Sequence, residues 1–131
     1  MEELDGFSIE KGHGLYRPVG SVTFYQAVNL VRDSIAAARR NKVRDLLVDT
    51  TALVGFPSPE TFQRFLMALA RSDEAKGGVR LAMIARAEMI HPEKIGVTIA
   101  VNRGLVSNVF TAEAQARAWL KAQSDDDLRT G

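Results

Sequence analysis

The sequence of 131 residues contains no cysteine and only two histidines. The lack of thiols excludes a disulfide framework, a thiolate metal site and a cysteine nucleophile. His13 and His91 do not belong to a cluster of histidine, aspartate and glutamate residues at metal-ligand spacing. We therefore expect neither a bound metal nor another cofactor.

An excess of one charge and a long apolar run are also missing. Seventeen basic residues against sixteen acidic ones give a net charge of +1. Nucleic-acid binders are usually far more basic, so we expect no nucleic-acid partner. The longest strictly apolar run covers residues 65–70 and is too short to cross a bilayer, and the acidic start is unlike a signal peptide. These features predict a cytoplasmic protein without a membrane span.

The length and composition are those of one globular domain. Hydrophobic residues make up 46% and charged residues 25% of the chain, which are ordinary values for a folded protein. No linker or internal repeat divides the sequence. We predict a single domain over residues 1–123 and a polar, frayed tail over residues 124–131.

Local patterns predict a β-hairpin followed by the order αβαβαβα. The hairpin is predicted to join residues 7–11 to 14–19 through Gly12-His13-Gly14. Strands are predicted over 43–49, 79–85 and 105–110; helices over 24–41, 59–73 and 93–103, and from a Thr111 N-cap through Lys121. Thr23 and Gln26 have the capping-box spacing at the start of the first helix. Strands 43–49 and 79–85 have continuous apolar centres, as in strands buried on both faces.

The second helix has a predicted cap and a predicted buried face. Ser58 is the expected N-cap, and Pro59 suits the first helical position. The expected buried face consists of Phe62, Phe65, Leu66 and Leu69. Together the elements predict an α/β fold with a mostly parallel five-stranded sheet and covering helices.

Several segments, in this order, resemble the SpoIIAA-like proteins, small relatives of the STAS domains of anti-sigma-factor antagonists. They are Gly20-Ser21-Val22-Thr23, Leu46-Leu47-Val48-Asp49, Pro57-Ser58-Pro59-Glu60-Thr61-Phe62, Asn102-Arg103-Gly104, Val109-Phe110-Thr111 and Ala118-Trp119-Leu120. The resemblance implies a βα superhelix. It also implies a regulatory phosphorylation site, which better-known STAS proteins carry in an Asp-Ser-Ser-Gly segment. Ser58 is the closest positional match, although Gly55-Phe56-Pro57-Ser58-Pro59 replaces that segment here.

Two groups of residues are candidate binding sites. Asp49, Thr50 and Thr51 follow a central strand at the sheet edge where α/β proteins hold ligands, and with Ser58 they form a possible partner-binding site or phospho-switch. The alternative is an ordinary turn and a plain helix cap. A second group, Arg86, Lys94 and Arg103, is a candidate anion site, and its alternative is scattered surface charge.

The leading functional hypothesis is a non-enzymatic regulatory or protein-interaction module. A protein partner, such as a regulatory kinase, would dock on residues 49–62. A homodimer could form through the edge of the hairpin. The alternative is a carrier of a small ligand or lipid, and a small hydrolase using Asp49, His13 or His91 comes last, because no nucleophile–base arrangement is evident.

Overall fold

A computed structural model describes the backbone of residues 4–130 and the side chains of residues 4–125. The protein has an α/β fold in which helices and strands alternate after an N-terminal hairpin. The strands are β1 (Phe7–Glu10), β2 (His13–Tyr16), β3 (Gly20–Ser21), β4 (Asp45–Asp49), β5 (Leu53–Val54), β6 (Arg80–Ile84) and β7 (Ser107–Phe110). The helices are α1 (Phe24–Arg40), α2 (Thr61–Ala75), α3 (Ile95–Asn102) and α4 (Glu113–Thr130), and a short 3-10 helix covers Ala87–Met89.

Five strands form the main sheet in the order β1-β2-β4-β6-β7. Strand β1 pairs antiparallel with β2, and every other pair in this sheet is parallel. The predicted mostly parallel five-stranded sheet is therefore confirmed. A separate parallel pair, β3 and β5, was not predicted, because two-residue strands leave no periodic signal in the sequence.

The hairpin turn differs from the predicted one. Lys11 and Gly12 form the turn with φ angles of 52° and 81°, and Glu10 pairs directly with His13. A two-residue turn with two positive φ angles matches the right-handed twist of the strands it joins. His13 and Gly14 therefore belong to β2 and not to the turn.

Helix α1 begins as its capping box predicts. The Gln26 backbone N–H donates to Thr23 Oγ1 at 3.1 Å, and the Thr23 N–H donates to Gln26 Oε1 at 2.8 Å. Its buried face includes Val31 and Ile35, which are almost fully shielded from solvent. The local signals were sufficient here because both partners of the cap lie within one helical turn.

Helix α2 departs from its predicted start and buried face. It begins at Thr61 with Glu60 as the N-cap, so Ser58 is not the cap. Phe62 is 68% exposed and Phe65 is 39% exposed. The other two residues of the predicted face, Leu66 and Leu69, are half-buried. The buried side chains of α2 are instead Arg64, Ala68, Ser72 and Ala75. The helix therefore presents two aromatic rings to solvent and an arginine to the interior.

Helix α4 starts later and ends later than predicted. It runs from Glu113 to Thr130, so Thr111 lies outside its first turn and Lys121 is not its end. Within it, the Ser124 hydroxyl donates to Asp45 Oδ2 at 2.8 Å, which attaches the helix to the start of β4. Fraying of residues 124–131 stays a prediction, and residue 131 lies outside the described residues.

The sheet separates two apolar cores. On one face, Leu46, Val48, Leu81 and Met83 pack with residues of α1, α2 and α3. On the other face, Leu47, Ala82 and Ile84 pack against Ala116 and Leu120 of α4. The split follows the alternation of side chains along each strand. In the part of the chain that the structure describes, no helix has the length and apolar character of a bilayer-crossing segment.

Tyr16 in β2 makes the free energy of unfolding depend on pH. Burial, followed by the charges of Asp33 and Asp5, raises the pKa of Tyr16 from 10.0 to about 12. The phenol therefore ionises in the unfolded chain before it ionises in the folded one, and stability present below pH 10 is lost as the pH rises toward 12. Urea unfolding at stepped pH values should show this loss in the wild type. The Tyr16→Phe variant should show a smaller decline over the same interval, and parallel curves would contradict the assignment.

Candidate functional site

A cavity lies between α1, α2, α3 and the face of the sheet that they cover. Its walls are mainly apolar and include Phe24, Val31, Met67, Leu81, Met83 and Val97. The cavity has a volume of about 110 Å³. This is several times the roughly 10–15 Å³ that a single water requires. The space can therefore hold part of a small ligand.

The charged residues around this cavity have one sign. Arg64, Arg71, Arg86 and Lys94 line it, together with His91, and no aspartate or glutamate belongs to the described lining. Cationic side chains usually leave apolar surroundings unless a counter-charge is present. The lining thus combines an apolar interior with a positive potential.

Arg64 is buried, with 8% of its surface exposed. Its Nη1 donates to the Met89 carbonyl at 3.2 Å, and its Nη2 donates to Ser58 Oγ at 3.0 Å. Both partners are neutral, and burial lowers the pKa of the guanidinium. Arg64 therefore connects the start of α2 to the segment that follows β6, and among the described residues it forms no ion pair.

Arg71 lies two turns further along α2 and also reaches the cavity. Its Nη2 donates weakly to Met67 Sδ at 3.6 Å. Its Nε is shielded from solvent and has no hydrogen-bond partner among the described residues. Burial lowers the pKa of Arg71 to about 10, so the side chain still carries its positive charge at neutral pH.

The predicted anion group is divided by the fold. Arg86 donates to the Leu53 carbonyl at 3.3 Å, and Lys94 donates to Asn108 Oδ1 at 2.9 Å while lying 5.0 Å above the Phe110 ring. Both line the cavity. Arg103 caps the far end of α3, is exposed and does not line it.

The residues after β4 form a hydrogen-bonded turn. Asp49 Oδ1 accepts from the Thr51 N–H at 2.9 Å and from its hydroxyl at 2.6 Å, and Asp49 Oδ2 accepts from Arg17 at 3.0 Å. The Thr50 hydroxyl donates to the Ile84 carbonyl at 3.0 Å. These contacts match the ordinary turn that was the alternative interpretation. Only Thr50 of this group lines the cavity.

We call residues 49–62 the closing segment because one side of it covers the cavity. Thr50, Leu53, Phe56 and Pro59 line the interior. Val54, which is 43% exposed, lies on the outside. Ser58 is exposed, and its hydroxyl contacts Arg64. The segment predicted as a docking surface is thus also a wall of the cavity.

Gly55 fixes the turn in the closing segment. Its φ is +105°, and a Cβ placed there would lie 2.7 Å from both Ser21 Oγ and the Val22 carbonyl oxygen. We expect Gly55→Ala to lower the free energy of unfolding by about 2–3 kcal/mol through backbone strain and this overlap. Gly77→Ala is the matched control, since Gly77 has φ +74° and open space around it. If Gly55→Ala and Gly77→Ala lower the free energy of urea unfolding equally, the close approach of Gly55 to β3 is unimportant.

The described residues contain no cluster of three or more histidine, aspartate or glutamate side chains that could hold a metal ion. His91 Nδ1 accepts from the Glu93 N–H at 3.0 Å. His13 Nε2 lies 3.9 Å from Asp45 Oδ2, on a strand whose neighbour carries that carboxylate. Neither contact joins a histidine to Asp49 or Ser58.

Arg64 and Arg71 were missed in the sequence. Their spacing of seven residues puts them on one face of α2, and this was a usable signal. It was overlooked because Phe62, Phe65, Leu66 and Leu69 suggested the opposite face as the buried one. No family model matches this sequence, and a search of the curated proteins found no similar protein.

Proposed function

We propose that the protein is a non-enzymatic binding domain whose cavity between α1–α3 and the sheet holds a small, largely apolar ligand. The observation that carries this proposal is the mainly apolar cavity between α1–α3 and the sheet, which passes beneath the closing segment. Ligand pockets are typically concave and apolar with a few polar groups that orient the ligand. This favours the carrier hypothesis over docking alone.

A variant that fills the cavity tests the proposal. Ala68 is buried on α2 and lines the cavity, so Ala68→Met should occupy the space with a flexible side chain. Ala70→Met is the matched control, because Ala70 lies on the same helix but not in the lining. Native mass spectrometry after gentle purification, followed by titration with octanol, should show a bound molecule in the wild type and the control. We expect at least a tenfold loss of octanol affinity in Ala68→Met.

Absence of any bound molecule from the wild type, together with no octanol binding, would overturn the proposal. Equal binding by wild type and Ala68→Met would place the ligand elsewhere. Circular dichroism of each variant shows whether its fold is retained, so that lost binding is not attributed to unfolding.

A second candidate function is protein docking on the outer side of the closing segment and the start of α2. Val54, Phe62 and Phe65 are exposed there, and aromatic side chains are frequent anchors of interfaces. The resemblance to anti-sigma-factor antagonists supports a regulatory partner, and Ser58 would place a phosphate beside Arg64. Because the inner side of the same segment covers the cavity, ligand binding could alter docking.

The docking candidate is tested with Phe62→Ser, which removes an exposed ring without touching the lining of the cavity. In affinity capture from native cells, Phe62→Ser should no longer retain the specific partner. Lys121→Ser, which replaces an exposed residue of α4, should still retain it. Ser58→Glu adds the negative charge of a modified serine. Capture of the same proteins by the wild type, Phe62→Ser and Ser58→Glu would argue against docking at this surface.

A further inference from the structure

We propose that Arg71 binds a negatively charged group of the ligand, which is therefore an anionic amphiphile with an apolar body and a carboxylate or phosphate head. This inference rests on the proposed function, because it specifies the ligand of the same cavity. It is carried by a cation at a mainly apolar site that has no carboxylate partner among the described residues.

The first observation is the charge of the lining. Three arginines and one lysine reach the cavity, and no carboxylate belongs to the described lining. A neutral apolar ligand gives no reason for so many cations, whereas an anionic group would interact favourably with each of them. Burying guanidinium groups in the absence of an anion costs several kcal/mol per charge by general estimates.

The second observation is that Arg71 has unused donors. Its Nη2 donates to a thioether sulfur, which is a weak acceptor, and its Nε has no hydrogen-bond partner among the described residues. A guanidinium offers five N–H donors in a planar fork that matches carboxylate and phosphate oxygens. Arg71 is therefore the side chain with most to gain from an anion.

The acidic residue one helical turn after Arg71 is engaged elsewhere. Glu74 follows Arg71 by three residues, but its carboxylate lies 3.3 Å from Arg39 and 3.8 Å from Arg32, both on α1. Glu74 is therefore neutralised by the arginines of α1 and does not pair with Arg71 beside the cavity.

The other cations have neutral acceptors or a partner already. Arg64 uses the Met89 carbonyl and Ser58, Lys94 uses Asn108, and Arg86 lies 3.6 Å from Glu88. They can add to the positive potential around the head group. Arg71 is the residue that we expect to contact it directly.

The test compares probes that share a chain and differ in the head group. Octanoate, octyl phosphate and octanol are titrated calorimetrically, below their micellar concentrations, into the wild type, Arg71→Met, Arg71→Lys and Arg103→Met. Methionine keeps an unbranched apolar side chain at position 71, lysine keeps the charge, and Arg103→Met removes an exposed arginine outside the cavity.

We expect the better of the two anions to bind the wild type at least about tenfold more tightly than octanol, as is usual for a charged hydrogen bond. Arg71→Met should remove that preference and change octanol affinity by less than about twofold. Arg71→Lys should restore part of the preference, and Arg103→Met should match the wild type. The anion preferred by the wild type then identifies the head group.

Equal affinities for all three probes in the wild type would overturn the inference and leave the proposed function intact. A preference for anions that survives in Arg71→Met would also overturn it. No binding of any probe to a folded wild type would overturn both the inference and the proposed function.

Discussion

Replacing Arg80 by methionine should lower the free energy of unfolding by about 3 kcal/mol. Arg80 Nε donates to Asp45 Oδ1 at 2.6 Å, and both side chains are less than a tenth exposed. Removing one member of a buried pair leaves the other charge in a poorly solvated position, which typically costs about 3–5 kcal/mol. Asp45 would keep the Ser124 hydroxyl, but it would lose its closest cation. Urea unfolding followed by circular dichroism measures the change.

Arg117→Met is the matched control for this prediction. Arg117 Nε lies 2.7 Å from Glu113 Oε2, but these side chains are 45% and 37% exposed. Exposed pairs contribute about 0–1 kcal/mol, so we expect a small loss. The double variant Arg80→Met, Asp45→Leu should recover much of the stability, because apolar residues can replace a buried pair. Equal losses in the two single variants would mean that burial adds nothing to the Arg80–Asp45 contact.

Replacing Arg71 by methionine should have the opposite effect and raise the stability of the ligand-free protein by about 1–3 kcal/mol. The guanidinium is charged, its Nε is shielded from solvent, and no carboxylate among the described residues pairs with it, whereas methionine fits apolar surroundings. Replacing buried charge by apolar side chains of similar size is often stabilising by this amount. Thermal and urea unfolding of protein freed of ligand by partial denaturation and refolding measure it.

Arg103→Met, at the exposed end of α3, should change stability by no more than about 0.5 kcal/mol. A loss of stability in Arg71→Met would show that this guanidinium supports the fold itself. A gain in stability together with weaker anion binding would show that the protein gives up stability to keep a binding residue, as functional sites commonly do.

The alternation of helices and strands could be predicted because its signals are local. The capping box of Thr23 and Gln26 fixed the start of α1 to the residue, and the unbroken apolar centres of β4 and β6 indicated two buried strands. Gly104, with φ +91°, ends α3 as expected of a glycine after a helix. Each of these signals involves residues within a few positions of one another.

The orientation of α2 could not be predicted in the same way. Its aromatic side chains suggested one buried face, yet Arg64 and Ala68 face the interior. Which face of a helix is buried depends on the shape of the elements packed against it. Here those elements leave a cavity beside α2, and large apolar side chains on this face would fill it. For the same reason the sequence indicated Thr50 and Lys94 separately but not the cavity that brings them together.

The placement of the single tryptophan has a practical consequence. Trp119 packs against Phe110, with ring centroids 6.1 Å apart, in the core between the sheet and α4. The cavity lies across the sheet from it. Tryptophan fluorescence should therefore change when the protein unfolds. It should change little when a ligand enters the cavity, so it distinguishes denaturation from ligand binding.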